Sequence, residues 1–163
     1  MTTPESIAGQ RTARATESRS VKHPHVELVE RWFREVWNEG KTSTIHELFP
    51  QDGIVHGLAP QGAVVRGPDG FKVFFQNLRG AFPDINVTIH DTVVEGDKVA
   101  GRWSATMTHS GHGLGFGPTG KRVQTTGMFF CRIRGDQIVE SWDNWDALGL
   151  MEQLGAAPAS KML

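Results

Sequence analysis

The chain has 163 residues and a formal net charge of −1 at neutral pH. This length fits one domain with a tail and suffices to bury one sizeable core. The near-neutral balance excludes the broad positive surface of a protein that binds nucleic acid or an acidic membrane. Cys131 is the single cysteine, which excludes an internal disulfide, and its apolar strand neighbours predict a buried thiol.

Residues 1–20 are small, polar and without apolar periodicity, and they predict a disordered tail. We expect one domain over residues 21–157 and a short tail at 158–163. No apolar segment approaches the roughly 20 residues of a membrane-spanning helix, and the first residues lack the apolar core of a secretory signal. The sequence therefore predicts a cytoplasmic protein.

Helices are predicted in the first half of the chain. Apolar residues recur at three- and four-residue steps over 26–37, which is typical of an amphipathic helix. A short second helix is expected over 42–49, and a third over 68–80 with a proline in its first turn. Two short strands, 53–56 and 64–65, separate these last two helices.

After Pro83 the pattern changes to antiparallel sheet, because apolar and polar residues alternate and turn residues separate the runs. Helices followed by a meander of long strands indicate an α+β fold, in which a curved sheet wraps around the N-terminal helices. We expect the run Gly111–Gly115 to be a flexible pocket lid. The predicted strands cover residues 85–94, 99–109, 123–133 and 137–145, and a last helix covers 148–154.

Several short motifs, in this order and spacing, resemble those of a known family. They are Trp37-Asn38-Glu39-Gly40, Gly67-Pro68-Asp69-Gly70-Phe71, Ala81-Phe82-Pro83-Asp84, the strand from Gly101 to His109, Pro118-Thr119-Gly120-Lys121, and Ile138 to Asp146 followed by Gly149 to Gly155. Together they resemble the SnoaL-like, ester-cyclase branch of the nuclear transport factor 2-like superfamily, over about residues 25–155.

The resemblance implies a cone-shaped α+β barrel, in which a curved antiparallel sheet packs on N-terminal helices around an apolar pocket. Members of this family cyclise polyketide esters by an intramolecular aldol reaction, without a metal or organic cofactor, and form dimers. We therefore expect cofactor-free acid/base catalysis, a cyclisation or a related isomerisation, on a hydrophobic carbonyl compound in a homodimer. A hydrophobic ligand carrier and a dimeric scaffold of the same fold are the alternatives.

An aldol closure needs a base beside a carbonyl and a donor that stabilises the enolate. The resemblance implies that an aspartate near the end of the last strand is this base. Asp143 and Asp146 both stand there, on opposite faces if the strand stays regular, and Asp146 also suits a helix N-cap. His109 and His56 are the candidate hydrogen-bond donors, unless they bond only to backbone.

No metal site is predicted, because the histidine pairs lack a cysteine or carboxylate at ligand spacing. The sequence contains no tyrosine, so the phenol donor that isomerases and dehydratases of the resembled fold use is absent. Aromatic residues at helical spacing are also typical of an ordinary hydrophobic core. A core role is therefore the alternative for the predicted ligand contacts that lie on helices. The complete set of predicted contacts is Trp37, Phe75, Trp103, Met107, Gln124, Met128 and Trp142.

Overall fold

The computed structural model describes residues 22–58 and 63–156. The predicted tails, residues 1–20 and 158–163, lie outside the described residues. The helices are α1 (Pro24–Trp32), which continues as a π-helical segment (Phe33–Asn38), α2 (Thr42–Leu48), α3 (Gly67–Ala81) and α4 (Ala147–Leu154). The strands are β1 (Ile54–His56), β2 (Val65–Arg66), β3 (Asn86–Glu95), β4 (Lys98–Thr108), β5 (Arg122–Arg134) and β6 (Gln137–Trp145).

The described strands form one sheet in the order β2-β1-β6-β5-β4-β3. Strands β3 to β6 are an antiparallel meander, as the alternation predicts. Strand β1 pairs in parallel with β6, with Val55 opposite Ser141. That parallel pair was not predicted, because a strand of three residues carries no pattern that sets its direction. Breaks in register between Ile89 and Asp91 and between Arg132 and Ile133 are bulges, which increase the twist of the sheet.

The end of the first helix is tied to the edge of the sheet by one side chain. Asn38 Nδ2 donates to the carbonyl of Val87 at 3.0 Å, and Asn38 Oδ1 accepts from the Val87 amide at 2.7 Å. The side chain thus acts as a strand partner for β3, which lies at the edge of the sheet that the described strands form. Gly40 follows with a φ of 73°, a conformation that glycine adopts at low cost.

The α+β class predicted from the sequence is confirmed, since the helices pack against one face of the curved sheet. Large buried side chains from both layers meet between them, including Val36, Ile45, Phe49 and Phe129. A second buried cluster, around Phe82 and Leu150 for example, closes the other end of the sheet. None of the helices in the described segments is long and apolar enough to cross a membrane.

Two glycines on the inner face of the sheet make room for aromatic rings. A Cβ atom at Gly127 would lie 2.5 Å from the ring of Trp103, and one at Gly101 would lie 2.6 Å from the ring of Phe129. Both rings therefore lie against the sheet where another residue would place a side chain. Both rings border the cavity between the sheet and the helices.

Candidate active site

A cavity lies between the inner face of the sheet and the helices. The space free of protein atoms measures about 900 Å³ when the open mouth is included. Among the described lining residues, three carry oxygen in their side chains: Thr125, Ser141 and Asp143. The aromatic residues of the lining are Trp32, Phe33, Trp37, Phe49, Phe71, Phe74, Trp103, Phe129 and Trp145.

Asp143 is the one carboxylate among the described residues that line the cavity. Burial raises the pKa of this carboxyl to about 6, and a hydrogen bond from Ser141 opposes the rise. Ser141 Oγ donates to Asp143 Oδ2 at 2.6 Å. The side chain is partly accessible, and it borders the cavity. A carboxyl with such a pKa exchanges a proton readily near neutral pH.

Strand alternation explains why Asp143 faces the cavity. Ser141, Asp143 and Trp145 follow one another at every second position of β6, and all three line the cavity. An unbroken alternation would also place Val139 on this face, but Ile138 lines the cavity instead. The cause is the bulge opposite Arg132, which shifts the phase of the strand by one residue.

The backbone of Asp143 is closely approached by the chain that leaves β1. Gly57 has a φ of 86°, and a Cβ atom there would lie 1.8 Å from the carbonyl oxygen of Asp143. Only glycine fits such an approach without displacing the neighbouring backbone. The next residue, Leu58, lines the cavity. The turn after β1 therefore confines Asp143 and contributes to the cavity wall.

Asp146, the second candidate base, lies outside the cavity and caps α4. Its Oδ1 accepts from the Gly149 amide at 2.8 Å, and the side chain is exposed. Its carbonyl accepts a hydrogen bond from Thr125 Oγ1 at 3.1 Å. This geometry supports the alternative role of Asp146, a helix N-cap.

His109 is fully buried but is not among the cavity-lining residues. Its Nδ1 accepts from the Thr119 amide at 3.1 Å, and its ring packs between Phe82 and Phe116. The segment that follows lies against the end of α3, where the Gly111 amide donates to the carbonyl of Ala81. The described residues of the predicted Gly111–Gly115 lid contribute nothing to the cavity lining.

His56 and three of the predicted ligand contacts lie elsewhere than in the cavity. His56 Nε2 is 3.0 Å from Glu140 Oε1, and its ring stacks on Trp142 with centroids 5.0 Å apart. Trp142 and Met128 occupy the outer face of the sheet, because they alternate with Asp143 and Phe129 on the inner face. Gln124 is exposed, and its backbone bonds to the side chain of Gln153 on α4.

The other predicted ligand contacts are divided between the core and the cavity. Phe75 is buried against Trp37, with ring centroids 5.6 Å apart, and does not line the cavity. Trp37, Trp103 and Met107 do line it. Trp145, Ser141 and Thr125 also line the cavity, although none of them was predicted as a ligand contact. Strand alternation places Ser141 and Trp145 on the same face as Asp143.

Glu35 has a strongly displaced pKa but belongs to a structural network outside the cavity. Arg31 donates to Glu35 Oε1 at 3.0 Å, and Thr44 Oγ1 donates to Oε2 at 2.6 Å. These two hydrogen bonds lower the pKa of Glu35 to about 2, so the group stays ionised near neutral pH. These contacts connect the π-helical segment to α1 and α2.

No group of three or more His, Cys, Asp or Glu side chains arranged to hold a metal ion occurs in the segments that the structure describes.

The model of a protein family described as SnoaL-like polyketide cyclase matches residues 27–154 of this chain. Aklanonic acid methyl ester cyclase DauD from Streptomyces sp. (strain C5) is 28% identical over 134 residues. That match covers 81% of this chain and 82% of the cyclase.

Solved structures show the same similarity. IdmH from Streptomyces antibioticus, a proposed polyketide cyclase, is 33% identical with a TM-score of 0.71, and the match covers 82% of this chain and 99% of IdmH. A proposed SnoaL-like polyketide cyclase from Jannaschia sp. CCS1 is 26% identical with a TM-score of 0.72, covering 83% of this chain and 94% of that protein. The similarity thus extends over nearly the whole described domain.

Proposed function

Because the chain belongs to the SnoaL-like polyketide cyclase family, we propose that it closes a ring in a hydrophobic, polyketide-like ester by an intramolecular aldol reaction, with Asp143 as general acid/base. The observation that carries this proposal is the one carboxyl among the described residues that line a largely apolar cavity, whose pKa is raised to about 6. Such a group is a base near neutral pH and, once protonated, an acid for the next step.

The proposed reaction needs two proton transfers and one new carbon–carbon bond. The Asp143 carboxylate takes a proton from a carbon next to a carbonyl, which leaves an enolate. The enolate carbon attacks a second carbonyl of the same molecule, and the resulting alkoxide recovers the proton from the Asp143 carboxylic acid. This sequence draws on side chains of the chain alone and requires no cofactor. The aromatic walls hold the flexible ester in a folded shape and exclude water from the enolate.

Ring closure of aklanonic acid methyl ester, the substrate named for the relative, is the first assay, followed by chromatography of the product. We expect Asp143→Asn to lower kcat at least about 100-fold, because acid/base groups contribute factors of this order. Asp146→Asn is the matched control, three residues further along at the N-cap of α4, and we expect it to keep kcat within a few-fold. If the wild type turns over the ester and Asp143→Asn does so at a similar rate, the proposal is contradicted.

The same variants separate catalysis from simple carriage of a ligand. If the wild-type protein binds aromatic esters but turns over none of them, and Asp143→Asn binds with equal affinity, the cavity is a carrier site. Fluorescence quenching of the cavity tryptophans by the ester measures that affinity directly.

We propose further that the protein is a homodimer joined through the outer face of the sheet. Met128 and Phe130 are 63% and 39% exposed there, and Phe130 packs edge-on against Trp142 with centroids 5.6 Å apart. Sedimentation of the variant with both Met128→Arg and Phe130→Arg should give the monomer mass. Val73→Arg, at an apolar side chain on α3 that is 60% exposed, is the control and should remain dimeric. A wild-type monomer at micromolar concentration would exclude the dimer.

A further inference from the structure

Ser141 makes a direct side-chain contact with the candidate base, Asp143. Its Oγ donates to Asp143 Oδ2 at 2.6 Å, and its side chain is 9% exposed. Within residues 22–58 and 63–156, this is the one side-chain hydrogen bond that reaches the Asp143 carboxyl. The other carboxyl oxygen, Oδ1, therefore has no side-chain partner in that part of the chain.

The position of Ser141 is fixed on both sides of β6. Cys131 of β5 lies opposite it in the antiparallel pair, and Val55 of β1 lies opposite it in the parallel pair. Asp143 has different neighbours. Phe129 of β5 lies opposite it in the antiparallel pair, and the turn at Gly57 lies against its backbone carbonyl. The backbone of this segment is thus well held, whereas the last torsion angle of an aspartate side chain is broad and has no preferred value of its own.

We propose that Ser141 is a positioning residue, whose hydroxyl holds the Asp143 carboxyl through Oδ2 so that Oδ1 exchanges the proton with the ligand. This inference rests on the proposed role of Asp143 as the acid/base group. Proton transfer requires the base within hydrogen-bond reach of the reacting carbon, and a rotating carboxyl is in that geometry only part of the time. A single short hydrogen bond from a rigid strand removes the rotation.

The hydroxyl also acts on the charge of the carboxyl. Donation from Ser141 favours the ionised form and lowers the pKa of Asp143, which burial raises. Cys131 is the other titratable side chain among the described lining residues. Burial raises the pKa of its thiol to about 12, with the nearby Asp143 adding to the rise, so Cys131 stays neutral wherever Asp143 titrates.

The test measures the carboxyl directly, by ¹³C NMR titration of protein labelled at aspartate, with the Asp143 signal assigned by its loss in Asp143→Asn. We expect Ser141→Ala to raise the Asp143 midpoint by about one pH unit, the value of one hydrogen bond to a charged group. Ser141→Thr keeps a hydroxyl and should restore the wild-type midpoint. Thr125→Val is the control, since the Thr125 hydroxyl donates to the carbonyl of Asp146 and should leave the midpoint unchanged.

Kinetics supply the second readout. Ser141→Ala should lower kcat about tenfold with KM changed less than threefold, and move the acidic limb of the kcat profile upward in pH. If the Ala and Thr variants both titrate like the wild type, the inference is wrong. If Ser141→Ala does not fold, Ser141→Cys replaces it, because a thiol is a weaker donor and should raise the midpoint in the same direction. The titration does not depend on turnover. An inactive wild type would overturn the proposed function, but the effect of Ser141 on the titration of Asp143 could still be measured.

Discussion

Replacing Asp143 by asparagine should stabilise the protein, and only where the wild-type carboxyl is ionised. Burial raises the pKa of this group from the ordinary 3.8 to about 6. The folded protein therefore holds the protonated form more tightly than the unfolded chain does, and folding becomes less favourable as the pH rises from about 4 to 6. Asparagine has the same shape as the protonated acid and carries no charge at any pH.

The magnitude follows from the same pKa values. One pKa unit corresponds to about 1.4 kcal/mol, so a rise from 3.8 to about 6 gives roughly 3 kcal/mol at pH 7 as an upper bound. Asp143 is partly accessible to solvent, which reduces the expected gain to about 1–3 kcal/mol. Well below the ordinary pKa of 3.8 both states of the wild type are protonated, and the pH-dependent part of the gain should vanish.

Urea unfolding of both proteins between pH 4 and 8 measures this difference. At pH 7 the midpoint of Asp143→Asn should lie higher by about 0.5–1.5 M urea, for a typical urea dependence of about 2 kcal/mol per M. Asp52→Asn gives a control of opposite sign, because the hydrogen bond from Arg134 lowers the pKa of Asp52 and stabilises the folded state above the ordinary aspartate range. A gain for Asp143→Asn that is the same at pH 4 and pH 8, or no gain at all, would refute the assignment of a desolvated carboxyl.

Three further predictions concern the same site and the backbone contacts around it. Gly57→Ala should destabilise the protein by more than about 2 kcal/mol and abolish turnover, because the new Cβ would meet the carbonyl oxygen of Asp143. Gly96→Ala, at a positive φ with open space around it, should cost only about 1 kcal/mol in the same unfolding assay. Asn38→Ala removes both hydrogen bonds to Val87 and should cost about 2–3 kcal/mol, with faster amide exchange at Val87. Finally, kcat/KM should fall as the pH drops through about 6, the pKa of Asp143, because the protonated carboxyl is no longer a base. Unchanged stability in Gly57→Ala or Asn38→Ala, or a flat pH profile, would contradict the corresponding argument.

Much of the fold could be predicted because its signals are local. The stripe of apolar residues that ends at Trp37, the turn between Arg134 and Gln137 and the alternation along β5 each occupy a few consecutive residues. They follow from helix and strand periodicity alone. The parallel pairing of β1 with β6 joins residues far apart in the chain, such as Val55 and Ser141, and no local pattern reports such a contact.

The candidate site was harder to predict for two physical reasons. A bulge moves every later residue of a strand to the other face, so the side of the sheet that a residue occupies depends on a register break near Arg132 that the sequence does not mark. Histidines carry no such periodic signal. His109 is held by Thr119 in a buried turn, and His56 by Glu140 outside the cavity.

The titration of the Asp143 carboxyl in the wild-type protein tests the central claim most directly, because that claim places a desolvated carboxyl in a largely apolar cavity. Carboxyl ¹³C shifts recorded from pH 3 to 8 should show Asp143 with a midpoint near 6. An aromatic ester that fills the cavity should raise this midpoint further, since it displaces water from the carboxyl. A midpoint at or below about 4, unchanged by the ester, would mean that Asp143 is an ordinary solvated carboxylate, and it would contradict the proposed role.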